Sequence, residues 1–139
     1  MAADASTKPS GGTLAVYEPP SGPGIRVDGY GYSGYTTSPS FDSLLAKLIV
    51  HADADFAGVL RRAYRALCEF RLEGVASNLA FLRNLVLHPA VQANQVNTRF
   101  IEDHAASLVA EAEHQDLFFS QSASNAGAQQ QIDLSLIHI

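Results

Sequence analysis

The sequence predicts an α+β fold, in which a small antiparallel sheet of three to four strands carries helices packed on one face. Two observations support this class. Short segments with alternating apolar residues, bounded by Gly and Pro, come first, and longer segments with apolar residues three and four positions apart follow them. The resulting order is strand, strand, strand, helix, strand, helix, helix, which favours helices packed on one antiparallel sheet.

The first two strands are separated by a turn rich in Pro and Gly. Residues 13–18 alternate as a strand and stop at two successive prolines, since the second ring cannot donate to a hydrogen-bond ladder. Residues 21–24, Ser-Gly-Pro-Gly, form a turn, and residues 25–28 alternate as a second strand. We expect these two strands to pair as an antiparallel hairpin.

The third strand leads directly into the first helix. Residues 43–52 include a continuous apolar run at positions 48–50, which is typical of a central strand. Asp53 and Asp55 are good N-caps, and the apolar residues that follow them recur at helical spacing and form a stripe toward the sheet. The members of this stripe are Phe56, Val59, Leu60, Ala63, Leu67 and Phe70.

The last part of the pattern contains one strand and two helices. Residues 69–72 form a short strand that ends at a Glu-Gly turn. Ser77 then caps a second helix, which ends near His88 and the proline after it. A further helix is expected from residue 99 or 100 to residue 112.

Charge and cysteine content exclude several classes of protein. The 139-residue chain has the size of one domain and a formal net charge of −5, with nine Lys and Arg residues. Neither nucleic acid nor a membrane is therefore expected as a partner. The single cysteine, Cys68, excludes a disulfide framework within one chain. We recognise no targeting pattern and no run of eighteen apolar residues, so we expect a cytoplasmic location.

Three glycines match the spacing of a dinucleotide-binding loop. They are Gly29, Gly31 and Gly34, and Asp53 follows about where a ribose-binding acid would lie. This loop works only where its last glycine opens a helix whose N-terminal amides meet the pyrophosphate. Gly34 is instead followed by β-branched residues and by Pro39, so we interpret these glycines as turn residues among tyrosines.

The remaining polar side chains receive structural interpretations. Lys47 interrupts an apolar strand and is expected to reach solvent or to pair with an acid such as Asp42. The histidines show no metal-ligand spacing and are predicted to lie on the surface or at helix ends. They are His51, His88, His104, His114 and His138. No catalytic residue and no metal ligand is assigned from the pattern.

Several blocks of sequence occur in an order that resembles one family. They are the Pro/Gly turn and strand at residues 19–28, the tyrosine-rich block GYGYSGYTTSPSFDSLLAKLIV at residues 29–50, RLEGVASN at residues 71–78 and TRFI at residues 98–101. Together they resemble the C-terminal subdomain of biotin carboxylase over residues 9–102. Any one block is weak evidence, but the ordered set is specific.

The resemblance implies that the chain is part of a biotin-dependent carboxylase. In such a parent enzyme an ATP-grasp core, preceding this segment, uses ATP, Mg²⁺ and bicarbonate to carboxylate biotin. Biotin carrier and carboxyltransferase domains are the further partners. The segment is then a scaffold that closes one wall of the active site, offers a subunit interface, and binds no cofactor and has no activity alone.

The same resemblance implies three site residues. Arg26 and Asp42 match positions in the homodimer contact of stand-alone bacterial biotin carboxylases, so both are predicted interface residues. From the sequence alone, Arg26 is also compatible with a solvated strand face. Thr98 matches a stretch that passes the adenine edge of the ATP pocket. Pro23 departs from the pattern, since some relatives have a phenylalanine anchor there.

The chain is divided into four segments. We expect residues 1–10 to be a disordered or truncated lead-in, and the resemblance implies that residues 11–112 are the biotin carboxylase C-terminal subdomain. Residues 113–133, rich in Ser, Ala, Gln and Asn, are a linker. Residues 134–139 resemble the translation of a sequencing-library adaptor, and an ordinary β-prone tail is the alternative.

Two other functions remain open. One is a stand-alone protein-interaction module that has the same fold without ligase activity. The other, the third hypothesis in all, is a small dinucleotide-binding domain. An in-frame ATP-grasp sequence directly upstream of Met1 would favour the carboxylase, whereas NAD binding by the purified chain would favour the third.

Overall fold

The computed structural model describes residues 11–38, 40 and 44–118. Within these residues the chain forms short antiparallel strands and helices, which confirms the predicted α+β class. The strands are β1 (Gly12–Thr13), β2 (Val16–Glu18), β3 (Ile25–Gly29), β4 (Thr36–Thr37), β5 (Ala46–Val50) and β6 (Arg71–Glu73). The helices are α1 (Phe56–Glu69), α2 (Leu79–Leu87), α3 (Pro89–Gln92), α4 (Phe100–Asp103) and α5 (Ala105–Val109).

The strands are arranged in three two-stranded sheets. The predicted hairpin between β2 and β3 is wrong. β2 pairs with β6, with Tyr17 opposite Leu72, and β3 pairs with β5, with Val27 opposite Leu48. β1 pairs with β4. The alternation of side chains identifies a strand and its apolar face, but it does not identify the partner strand.

The predicted central position of β5 is also wrong, since β5 pairs with β3 alone in the described part of the chain. Its continuous apolar run has another explanation. β5 contacts α1 as well as β3, and Leu48 and Ile49 are both half-buried although they lie on opposite faces.

The first helix begins and ends where the sequence predicts. Asp55 is its N-cap, and the Asp55 Oδ1 accepts a hydrogen bond from the Gly58 N–H at 2.9 Å. Phe70 is already extended, and its N–H donates to the Ala66 carbonyl at 3.1 Å. Phe70 then packs edge-on against Tyr17, with ring centroids 5.8 Å apart. This contact joins the end of α1 to the β2–β6 sheet.

α2 ends at its C-cap His88, as predicted, whereas the last predicted helix is shorter and divided in two. The Ser77 hydroxyl accepts from the Leu79 N–H at 3.4 Å, although Asn78 holds the N-cap position of α2. The predicted helix up to residue 112 is divided into α4 and α5 at His104, whose φ of −114° and ψ of 13° are not helical. The His104 ring stacks on Phe100 at this break, with centroids 4.3 Å apart.

The buried apolar side chains come from the strand region, from the C-terminal part of α1 and from the later helices. Phe81, Phe100 and Leu108 form one cluster, which joins α2 to α4 and α5. Leu14, from the strand region, has no exposed surface. The other buried apolar residues are Ala66, Leu67, Cys68 and Phe70. Full burial of one large apolar side chain contributes about 1.5 to 3 kcal/mol.

Candidate functional site

The predicted interface residue Arg26 forms a two-point ion pair with Asp28. Its Nε donates to the Asp28 Oδ1 at 2.8 Å and its Nη2 donates to the Oδ2 at 2.9 Å. Residues two apart on a strand lie on the same face, so the sequence Arg-x-Asp is sufficient to bring these two side chains together. Sequence reasoning did not name Asp28 as the partner of Arg26.

The ion pair is exposed, and its energetic effect is therefore small. The Arg26 side chain is 71% exposed and the Asp28 side chain 43%. The hydrogen bond and the charge of Asp28 raise the pKa of Arg26. The hydrogen bond from Arg26 lowers the pKa of Asp28, and the charges of Arg26 and Lys47 act in the same direction. Exposed ion pairs contribute little to stability, so Arg26 can exchange this partner at little cost.

Four side chains form what we call the β3–β5 surface: Arg26, Asp28, Lys47 and Ile49. The register places Asp28 opposite Lys47 and Arg26 opposite Ile49, on one face of the strand pair. Lys47 is exposed, as expected, and the acid facing it here is Asp28. The predicted interface residue Asp42 lies outside the described residues. The result is a row of opposite charges beside one half-buried apolar side chain.

The tyrosine-rich turn borders this surface. The Tyr35 ring packs edge-on against Tyr30 and Tyr32, with centroids 5.6 and 5.4 Å apart. The Tyr30 hydroxyl donates to the Leu44 carbonyl. Tyr30 and Tyr32 are 52% and 61% exposed, so the turn presents aromatic surface to solvent.

Gly34 does not open a helix, which removes the structural basis of the dinucleotide reading. Its φ is +94°, and strand β4 begins two residues later. The Gly34 N–H donates to the Leu14 carbonyl at 2.6 Å, so it is already used within the fold. A positive φ is the conformation that favours glycine, and this supports the interpretation as a turn residue.

Thr98 lies in the loop between α3 and α4 and is exposed. The Asn97 Oδ1 accepts from the Arg99 N–H at 3.0 Å, which orders the turn that leads into α4. Arg26 lies on β3, so the predicted interface and the predicted adenine edge fall on different elements of the fold.

Sequence reasoning missed a buried polar cluster between α1 and α2. Arg83 is 8% exposed, and its guanidinium donates to the Leu67 carbonyl and to Asp116. The signal was an arginine in an otherwise apolar helical stripe, because such a charge must find acceptors when it is buried.

The surface interpretation of His114 is wrong. Its ring is half-buried and hydrogen-bonded to Tyr64 and Asn84. His51 is exposed, and His88 and His104 lie at helix ends, as predicted. His138 lies outside the described residues. The local sequence around His114 is polar and shows no periodicity, so nothing in it indicated burial.

In residues 11–38, 40 and 44–118, no group of three His, Cys, Asp or Glu side chains could hold a metal ion. No helix in the same part of the chain is long and apolar enough to cross a membrane.

Comparison with known families identifies the family of this chain. The family model of the biotin carboxylase C-terminal domain matches residues 2–103. The chain belongs to this biotin carboxylase family. The resemblance first seen in the ordered sequence blocks is thereby confirmed, and the mixed strand and helix architecture agrees with it.

Several biotin carboxylase relatives are much longer than this chain. Biotin carboxylase 1 of Bacillus subtilis (strain 168) is 36% identical over 96 residues, which are 69% of this chain and 21% of that protein. The alpha3 subunit of a biotin-dependent acyl-coenzyme A carboxylase from Mycobacterium leprae (strain TN) is 44% identical over 98 residues, 68% of this chain and 16% of that subunit. This chain thus spans about a fifth of the length of the first relative and less of the second.

A solved structure of the same family gives a similar fold. It is the biotin carboxylase domain dimer of the Hydrogenobacter thermophilus 2-oxoglutarate carboxylase, in complex with MgADP, ADP and bicarbonate. The identity is 34% and the TM-score 0.70, and the match covers 76% of this chain and 23% of that one. The assignment of the chain to the biotin carboxylase family therefore rests on the match of sequence and fold, and not on any single contact.

Proposed function

We propose that this chain is the C-terminal scaffold of the biotin carboxylase component of a biotin-dependent carboxylase. In the parent enzyme, ATP, Mg²⁺, bicarbonate and biotin react in an ATP-grasp core, and this subdomain closes one wall of that site. The observation that carries the proposal is the family match over residues 2–103. Because this chain spans so little of its relatives' length, we infer that the chemistry resides outside it and that the chain alone is inactive.

We further propose the β3–β5 surface as a subunit interface, with Arg26 as a polar contact, and we propose Asp42, which lies outside the described residues, as a second interface residue. One relative is described as a biotin carboxylase domain dimer. The exposed Arg26 favours this role, since its weak pairing with Asp28 leaves the guanidinium available to an acid of a second subunit. Thr98 is proposed to lie at the adenine edge of the ATP pocket, where its exposed loop is free to meet a nucleotide.

A segment exchange tests the scaffold role. Residues 11–112 of this chain would replace the matching segment of B. subtilis biotin carboxylase 1, and ATP hydrolysis dependent on biotin and bicarbonate would be measured. We expect the chimera to retain activity, and the B. subtilis enzyme without the segment to have none. A chimera with Leu14→Asp is the matched control, because Leu14 is fully buried and a charge there should destroy the fold.

Two outcomes would contradict the scaffold role. One is a chimera that is folded by circular dichroism yet inactive, and the other is bicarbonate-dependent ATP hydrolysis by this chain alone.

A double-mutant cycle tests the interface in the same chimera. Dimerisation would be measured by sedimentation for Arg26→Ala, Asp42→Ala and the pair. We expect each single change to weaken the dimer and the pair to weaken it by less than their sum, because the two side chains share one contact. Additive effects would remove the shared contact, and no effect of either change would remove the interface assignment; both outcomes leave the scaffold role untouched.

A further inference from the structure

Residues 110–118, which we call the strap, fold back against α1 and α2. The Leu117 N–H donates to the Cys68 carbonyl at 3.0 Å, and the Asp116 Oδ1 accepts from the Arg83 Nη1 at 3.2 Å. His114 lies between these two helices. The strap is therefore attached at three points, although its sequence shows no helix or strand pattern.

The His114 ring is hydrogen-bonded at both nitrogens. Its Nδ1 lies 3.1 Å from the Tyr64 hydroxyl, and its Nε2 lies 2.7 Å from the Asn84 Oδ1. The Asn84 Nδ2 donates to the carbonyls of Leu108 and Ala110 at 2.8 and 3.0 Å, so the amide nitrogen is identified and Oδ1 must be an acceptor.

This network selects one tautomer of neutral His114. Because the Asn84 Oδ1 can only accept, the Nε2 of His114 carries the proton. The Nδ1 is then the acceptor of the Tyr64 hydroxyl proton. Neutral His114 thus accepts from the Tyr64 hydroxyl, whereas a protonated ring donates from both nitrogens, so the Tyr64 hydroxyl would have to turn and become an acceptor while a charge is placed in this half-buried site.

We propose that the strap is a pH-sensitive latch, which neutral His114 holds on α1 and α2 and which loosens when His114 is protonated. The inference does not depend on the proposed carboxylase function, because it concerns only contacts within this chain.

The charged and titratable groups around His114 act mostly against its protonation. α1 contributes Tyr64 and Cys68, α2 contributes the Arg83 cation, and the strap contributes the Asp116 anion. Burial and the charge of Arg83 lower the pKa of His114, and Asp116 offsets them only in part. The docked strap is then fully stable above the ordinary pKa of 6.5 and loses stability as pH falls below it, toward the lowered value.

Hydrogen exchange of the Leu117 amide measures the latch directly. The protection factor, corrected for intrinsic exchange, would be followed by NMR on the 139-residue chain from pH 7.5 to pH 5. We expect it to be constant above about pH 6.5 and then to fall, with a slope of at most about tenfold per pH unit. The Phe70 amide, which donates to Ala66 at the end of α1, is the internal reference and should stay protected.

Two histidine variants supply matched controls. His114→Gln keeps an amide donor for Asn84 but cannot titrate, so the pH dependence of Leu117 protection should disappear. His51→Gln changes an exposed histidine that precedes α1 in the chain, so the pH dependence of Leu117 protection should remain. In the unaltered chain, which requires no variant, the NMR shift of the His114 ring should titrate below pH 6.5, at the lower end of the pH range over which the Leu117 protection falls.

Three results would overturn the latch: a Leu117 protection factor that does not change with pH, an unchanged pH dependence in His114→Gln, or a loss of protection at Phe70 parallel to that at Leu117. The last would mean that the whole fold opens rather than the strap.

Discussion

The carbonyl oxygen of Leu67 receives two hydrogen bonds from the guanidinium of Arg83, from Nε at 3.1 Å and from Nη2 at 3.0 Å. Leu67 lies in the last turn of α1, where carbonyl groups have no partner within the helix. The carbonyls on either side of it are also satisfied, Ala66 by the Phe70 N–H and Cys68 by the Leu117 N–H. The end of α1 is therefore completed by α2 and by the strap.

Arg83→Met should lower the free energy of unfolding by about 3 kcal/mol, because it leaves the buried Leu67 carbonyl without its donors and removes the Asp116 pair. Urea denaturation followed by circular dichroism measures the change. Arg61→Met is the control, since Arg61 is exposed on α1 and should change stability by less than about 0.5 kcal/mol. Equal effects of the two variants would show that the Arg83 contacts contribute nothing specific.

Gly74→Ala should be much more destabilising than Gly34→Ala. Both glycines have a similar positive φ, +99° and +94°, which costs an alanine about 1 to 2 kcal/mol. A Cβ at Gly74 would in addition overlap the Thr13 carbonyl oxygen, whereas a Cβ at Gly34 meets nothing within 4 Å. Thermal unfolding of the two variants compares them under identical conditions, and a similar melting temperature would contradict the close approach of Gly74 to Thr13.

Asp55→Ala should destabilise the fold by about 1 kcal/mol, because the first turn of α1 loses the acceptor for the Gly58 N–H. Asp53→Ala is the matched control. Asp53 lies two residues before Asp55, and its side chain is fully exposed. Its only described ion pair is a 3.9 Å contact with His51. Chemical denaturation distinguishes the two, and a larger loss for Asp53→Ala would place the cap at the wrong residue.

Arg26→Ala should raise the pKa of Asp28 toward its ordinary value of 3.8, since the hydrogen bond from Arg26 is the main cause of its lowering. The same change should leave the free energy of unfolding almost unchanged, because the pair is exposed. NMR titration of the Asp28 carboxyl group measures the first effect. An unchanged Asp28 pKa would mean that the pair does not persist in solution.

Much of the fold is predictable because the signals are local. The Asp55 cap and the apolar spacing that follows it specify α1 within fifteen residues, and the ordered sequence blocks identify the family. Of the candidate site, Arg26 was found through that resemblance, and its nearest acid, Asp28, was readable from strand periodicity. Arg83 and His114 were not found, since their acceptors belong to distant segments.

The partners of the strands are a property of the folded chain alone. The alternation of side chains indicates which face of β2 is apolar, and the Pro and Gly residues indicate where β2 ends. Neither signal identifies β6, which follows α1 in the chain, as the partner of β2. Burial of Leu14 and Phe70 and packing of Tyr17 on Phe70 make that choice. Such contacts join residues far apart in the chain, so their free energy appears only when the whole fold is assembled.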